Sequence, residues 1–152
     1  MSNEQRKSLK WFVCSVEVGK TQDDLSIKKE TETYLVNACG FAEAEERIES
    51  ELSPYCYSGG LEVKSVKAER VVDIFKDEAA EIWYKARLNL ITIDEKTGLE
   101  KKTKCNVYAK ADSLEKALKV VREGIKDLTV NWEFFSITET PILDVYKYQP
   151  TI

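Results

Sequence analysis

Apolar and polar positions alternate through Trp11 to Val18 (WFVCSVEV), with Phe12, Cys14, Val16 and Val18 on one side of the chain. A period of two predicts a strand with one buried face. The pattern returns 72 residues later in Trp83 to Leu90 (WYKARLNL), where Tyr84, Ala86, Leu88 and Leu90 take the same places. Tyr34 to Ile48 (YLVNACGFAEAEERI) and Val107 to Val121 (VYAKADSLEKALKVV) match next, at an offset of 73, and in both a strand turns into a helix. Leu114, Ala117, Leu118, Val121 and Ile125 form one apolar helix face, with Asp112 and Glu115 as a capping-box-like start. Phe41, Ala44, Ile48 and Leu52 form the equivalent face in the earlier stretch, and Pro54 stops that helix. Ser65 to Phe75 (SVKAERVVDIF) and Ser136 to Tyr146 (SITETPILDVY) agree at every apolar position and keep Ser65/Ser136 and Asp73/Asp144 identical.

These matches predict an internal duplication of a β-β-α-β(-β) unit, one copy over residues 11–75, the other over 83–146, with 76–82 as the link. In the second copy, Asp94 to Gly98 (DEKTG) is a tight hairpin turn with glycine set for positive φ; its counterpart, Gly19 to Ser26, reads as looser. A unit of about 65 residues buries too little surface to be comfortably stable alone. The expected fold is therefore a single α+β domain over residues 1–152, in which antiparallel sheet and two helices are related by a pseudo-twofold axis around one shared core. Leu88 and Leu118 are expected inside it, where a charge should cost about 3–5 kcal/mol.

Composition narrows the chemistry. The 152 residues contain no histidine, which excludes Ser-His-Asp and Cys-His nucleophile systems, histidine bases and histidine-bearing metal sites. No constellation of carboxylate, lysine or tyrosine replaces them, so no catalytic residue, metal site or cofactor is expected. Cys14, Cys39, Cys56 and Cys105 form no C-x-x-C pair and are expected to be thiols. Met1 to Lys10 is polar and lacks the apolar stretch of a signal peptide, and the strongest apolar run, Leu90 to Ile93, is far short of the roughly 20 residues needed to span a bilayer. The chain reads as cytoplasmic, with no membrane partner.

Thr31 to Ile48 (TETYLVNACGFAEAEERI), Glu81 to Thr103 (EIWYKARLNLITIDEKTGLEKKT) and Thr138 to Tyr146 (TETPILDVY) carry a resemblance over nearly the whole chain. The sequence resembles a family of uncharacterised proteins of about this length, a domain of unknown function of Bacteroidetes bacteria and their phages and mobile elements. The resemblance implies no reaction, ligand or site residue; it implies a gene that travels on such elements.

Lys28 and Lys29 match Lys101 and Lys102 just beyond the two hairpin loops, and Lys96, Lys104 and Lys110 add charge to the second copy. Such lysines could contact phosphates. The plainer reading, a solvated edge on which lysine deters aggregation, is favoured. Residues 11–75 hold 7 basic against 13 acidic side chains, net −6, and residues 83–146 hold 11 against 10, net +1. The acidic first copy disfavours broad nucleic-acid binding but leaves room for a local basic face on the second. Glu43, Glu45, Glu46, Glu49 and Glu51 could dock a basic partner; an ordinary solvated helix with a Glu43–Arg47 pair is the simpler account. Trp11, Trp83, Tyr34, Tyr84, Tyr108, Trp132, Phe134 and Phe135, with Lys85 and Arg87, could stack single-stranded bases, although packing explains most aromatics more economically. Asp73 and Asp144 could meet and share a proton or cation; bonding backbone in their own turns is the favoured role.

The leading expectation is a non-catalytic intracellular binding or adaptor protein whose partner is another protein, encoded by a phage or mobile element. The alternative is a single-stranded nucleic-acid binder using Lys101, Lys102 and Lys104 with the sheet aromatics. An enzyme built on Asp or Glu with Lys ranks third.

Overall fold

The alternating stretches pair as long hairpins. The computed structural model describes residues 9–55 and 58–148; Met1 to Ser8 and Cys56, on which the leader and one thiol expectation fall, lie outside the described residues. Strands β1 (Lys10–Thr21) and β2 (Ile27–Ala38) run antiparallel from Lys10↔Ala38 to Thr21↔Ile27. The first hairpin is tighter than expected, since Gly19 to Thr21 continue the strand and only Gln22 to Ser26 turn, closed by a Gln22 N–H bond to the Ser26 carbonyl. Helix α1 (Phe41–Leu52) follows, then a 3-10 turn (Ser53–Tyr55) that contains Pro54, strand β3 (Leu61–Glu69) beside β1, and strand β4 (Val71–Phe75).

The remaining residues repeat this order. Strands β5 (Ile82–Ile93) and β6 (Glu100–Ala111) pair from Ile82↔Ala111 to Ile93↔Glu100, and Gly98 takes the expected positive φ of 66° in their turn. Helix α2 (Leu114–Ile125), strand β7 (Asn131–Glu139) beside β5, and strand β8 (Ile142–Tyr146) complete the chain. The fold is mixed α+β, with two helices and eight strands in two antiparallel-rich sheets among the described residues.

The fifth segments change places. The sheet orders are β3-β1-β2-β8 and β4-β6-β5-β7, so β4 runs parallel to β6 and β8 parallel to β2. Accordingly one unit comprises Met1–Glu69 with Pro141–Ile152, and the other Arg70–Thr140, rather than the copies 11–75 and 83–146 read from the sequence. Connection length dictates this. A place beside β2 in the first sheet lies three strand spacings from β3, about 14 Å. Arg70 is the sole residue between β3 and β4, and one residue advances the chain by only about 3.5 Å. Thr140 and Pro141 are likewise too few to carry β8 from β7 to the free side of β6.

Each helix covers its own sheet. In the first unit Phe12, Cys14, Val16 and Val18 of β1, Tyr34, Val36 and Ala38 of β2, and Ala44, Ile48 and Leu52 of α1 form one buried cluster. In the second, Ala86 and Leu88 of β5, Cys105, Val107 and Ala109 of β6, and Val121 and Ile125 of α2 form another, with Ala117 beside Tyr84 and Ala111. A helix carrying one apolar stripe needs only one sheet face to bury it.

Several local expectations shift with this packing. Leu118 is half-buried and Leu114 exposed, because the buried stripe of α2 runs through Ala117, Val121 and Ile125. The α2 cap is Ser113, whose hydroxyl accepts from the Lys116 N–H, while Asp112 instead pairs with the Lys116 ammonium at 3.4 Å. Phe41 is largely exposed and meets Phe12 edge-on, with ring centroids 5.0 Å apart.

Candidate binding surface

Successive residues of a strand point to opposite faces, so neighbouring lysines are split by the pleat. Lys28 and Lys29 therefore leave β2 on different faces, as do Lys101 and Lys102 on β6. The duplicated pairs do not gather in one groove within either unit. Lys102 and Lys104, two residues apart, do share a face, the one turned away from α2, because Cys105, Val107 and Ala109 fill the helix side.

Neutralisation differs between the hairpins. In the first, Lys28 lies 3.7 Å from Glu30 and Lys29 lies 3.5 Å from Glu17, while Lys20 contacts Glu30 at 2.8 Å and Glu32 at 3.6 Å. The hydrogen bond and charge of Lys20 hold the Glu30 carboxyl below its ordinary range. Strands β5 and β6 carry Lys85, Arg87, Lys101, Lys102, Lys104 and Lys110 against one acid of their own, Glu100. Lys102 is ion-paired to Glu133 of β7 at 2.9 Å, and Asn89 donates to the same carboxylate at 3.2 Å. That pairing raises the Lys102 ammonium and lowers the Glu133 carboxyl from their ordinary values, both through the hydrogen bond first and charge second for the lysine, and through two hydrogen bonds for the acid. Lys101 and Lys104 are exposed, and neither has a carboxylate within ion-pair distance among the described residues.

A bulge completes the surface. Arg87 pairs with Ser136 and Leu88 with Phe134, which leaves Phe135 out of the ladder. Phe134 goes inward to the α2 cluster, and Phe135 stays 62% exposed with the Arg87 guanidinium 5.3 Å from its ring centre. Arg87, Asn89, Lys102, Lys104, Glu133 and Phe135 thus form one basic patch with an aromatic ring at its margin. The residues that sequence reasoning did not assign to it were Asn89 and Glu133. Their signal was present in the period-two placement of Asn89 with Arg87, but the role of Glu133 needed the β5–β7 register.

Most of the other aromatics are structural. Tyr84 and Tyr108 are buried, Trp83 is fully buried, and Trp132 packs edge-on to Phe134 at 5.2 Å against the α2 cluster. Asp73 and Asp144 each accept a 2.8 Å hydrogen bond from the next backbone N–H, of Ile74 and Val145, where the parallel pairings of β4 and β8 shift register. Both bond backbone as expected, but inside a strand rather than in a turn. On α1, Arg47 pairs with Glu51 rather than with Glu43, lies over the Tyr148 ring and donates to the Lys147 carbonyl. No group of three or more potential metal ligands occurs among the described residues, and no helix there is long and apolar enough to cross a membrane.

A mixed α+β chain carrying a basic sheet patch defines a broad structural class. Within it the chain belongs to the family described as Domain of unknown function (DUF4494), whose model matches residues 10–148. Neither the curated proteins nor the solved structures yield a match.

Proposed function

We propose that this is a non-catalytic binding protein whose working surface is the β5–β6–β7 face of the second unit and whose partner is anionic. The unequal neutralisation of the two hairpins carries the reading: glutamates on the strands of the first hairpin answer its lysines, whereas Lys104, on the face of the second that is turned away from α2, has no such partner among the described residues. A solvated edge needs charge of either sign, but Arg87, Lys102 and Lys104 share one sheet face with a single acid, Glu133, and an anionic partner would relieve their repulsion. The matching bulges of β3 and β7 support an ancestral duplication, after which the two hairpins diverged in charge. Free thiols at Cys14, Cys39 and Cys105 suit a reducing cytoplasm. The sequence resemblance described above favours a Bacteroidetes bacterium or its phages as the source.

Heparin chromatography at pH 7 and 50 mM salt tests the surface, because a chain of net charge −4 has no general reason to be retained. The native protein and a Lys28→Glu/Lys29→Glu variant should be retained, and a Lys102→Glu/Lys104→Glu variant should flow through. Absence of retention, or equal loss from both variants, overturns the proposal.

A further inference from the structure

Building on that basic face, we infer that its anionic partner is single-stranded nucleic acid, with Phe135 as the base-stacking residue and Arg87, Lys102 and Lys104 as the phosphate-contacting groups. Charge alone would suit any polyanion; the ring is what discriminates. A phenyl group left 62% exposed beside Arg87, Asn89, Lys102, Lys104 and Glu133 lies outside the α2 cluster and fills no core position there. The adjacent residue, Phe134, already fills the core position. An acidic peptide offers carboxylates to the lysines and nothing that needs the ring. A single strand offers both a phosphate backbone and unpaired bases whose π-faces stack on aromatic side chains irrespective of sequence. A duplex hides those faces within its own stack, so it would use the lysines and leave Phe135 idle.

The geometry supports this division of labour. Arg87 stands over one side of the ring and fixes it beside the basic strand, which leaves ring surface open to a base. Lys102 and Lys104, two residues apart on β6, project about 6.8 Å from each other along the strand. Asn89 pairs with Lys104 across the ladder and holds Glu133, with Lys102, on the β7 side of the patch. Glu133 opposes phosphate locally, and its bond to Lys102 occupies a cation that a phosphate would otherwise engage. Removing that negative charge should therefore strengthen binding.

Fluorescence anisotropy at 50 mM salt and pH 7 provides the test, with a labelled 15-nucleotide single strand, its duplex, and a poly-glutamate peptide as probes. The single strand should bind more tightly than either competitor. Phe135→Ala should weaken it about tenfold, within the range of one lost base stack, and Phe135→Trp should restore it. Glu133→Gln should tighten binding, and Lys104→Ala should reduce the slope of log affinity against log salt by about 0.7. Circular dichroism should show every variant folded, as exposed positions allow. Equal affinity for all three probes with no effect of Phe135→Ala overturns the nucleic-acid assignment while leaving a general anion surface. Failure to bind any probe overturns both.

Discussion

Gly124→Ala offers a test of the exchanged strands. Gly124 lies in the last turn of α2, and a Cβ built there would stand 2.2 Å from Phe75 Cζ and 2.5 Å from each Cε. Phe75 ends β4, the segment that the sequence attaches to the first copy but that pairs with β6 of the second unit. In an unencumbered helix the substitution gains about 1 kcal/mol from propensity. Here the ring must be displaced, and overpacking of this kind costs about 1–3 kcal/mol. The net effect should be a loss of about 0–2 kcal/mol in the native background. With Phe75→Leu, which removes the ring carbons in contact, the same change should stabilise by about 1 kcal/mol. Chemical denaturation of the four proteins completes a double-mutant cycle, with an expected coupling of about 1–3 kcal/mol. Contacting residues couple, and distant ones add to within about 0.5 kcal/mol. Coupling below that level would show that Phe75 does not rest on α2, and the exchanged topology would be wrong.

Two further outcomes follow from the helix starts and the buried thiols. Ser113→Ala should cost about 1 kcal/mol in urea unfolding through loss of the α2 cap, whereas Gly40→Ser, at an extended N-cap with open space around it, should stabilise α1 by a few tenths of a kcal/mol; equal responses would contradict the cap assignments. Burial, aided by the charge of Glu45, pushes the Cys14 thiol up to about 11. Because the folded value lies above the unfolded one, this contribution to stability is complete below pH about 8.5 and is lost as pH rises through about 11. At pH 8 roughly one Cys14 in a thousand is thiolate, so iodoacetamide followed by mass spectrometry should label half-buried Cys39 and leave Cys14 unmodified until denaturant is added. Labelling of both at one rate would contradict the burial.

Local periodicity determined the elements. Alternation at Trp11 to Val18 and Trp83 to Leu90, and the wider spacing at Ala44–Ile48–Leu52 and Ala117–Val121–Ile125, reflect side-chain directions that follow from backbone geometry alone, and these strands and helices formed where expected. Lys28, Lys29, Lys101 and Lys102 were legible as matched pairs of strand-start lysines on the same grounds. Which lysines carry an opposing charge was not, because Glu17 reaches Lys29 and Glu133 reaches Lys102 only through pairing between strands. Phe134 and Phe135 are indistinguishable in sequence; a bulge against β5, a property of two strands together, sends one inward and leaves the other in solvent. The exchange of β4 and β8 lies between these cases. Its cause, a one-residue link at Arg70, is written in the chain, but the destination of each strand exists only once the sheets do, since a free edge is a tertiary object.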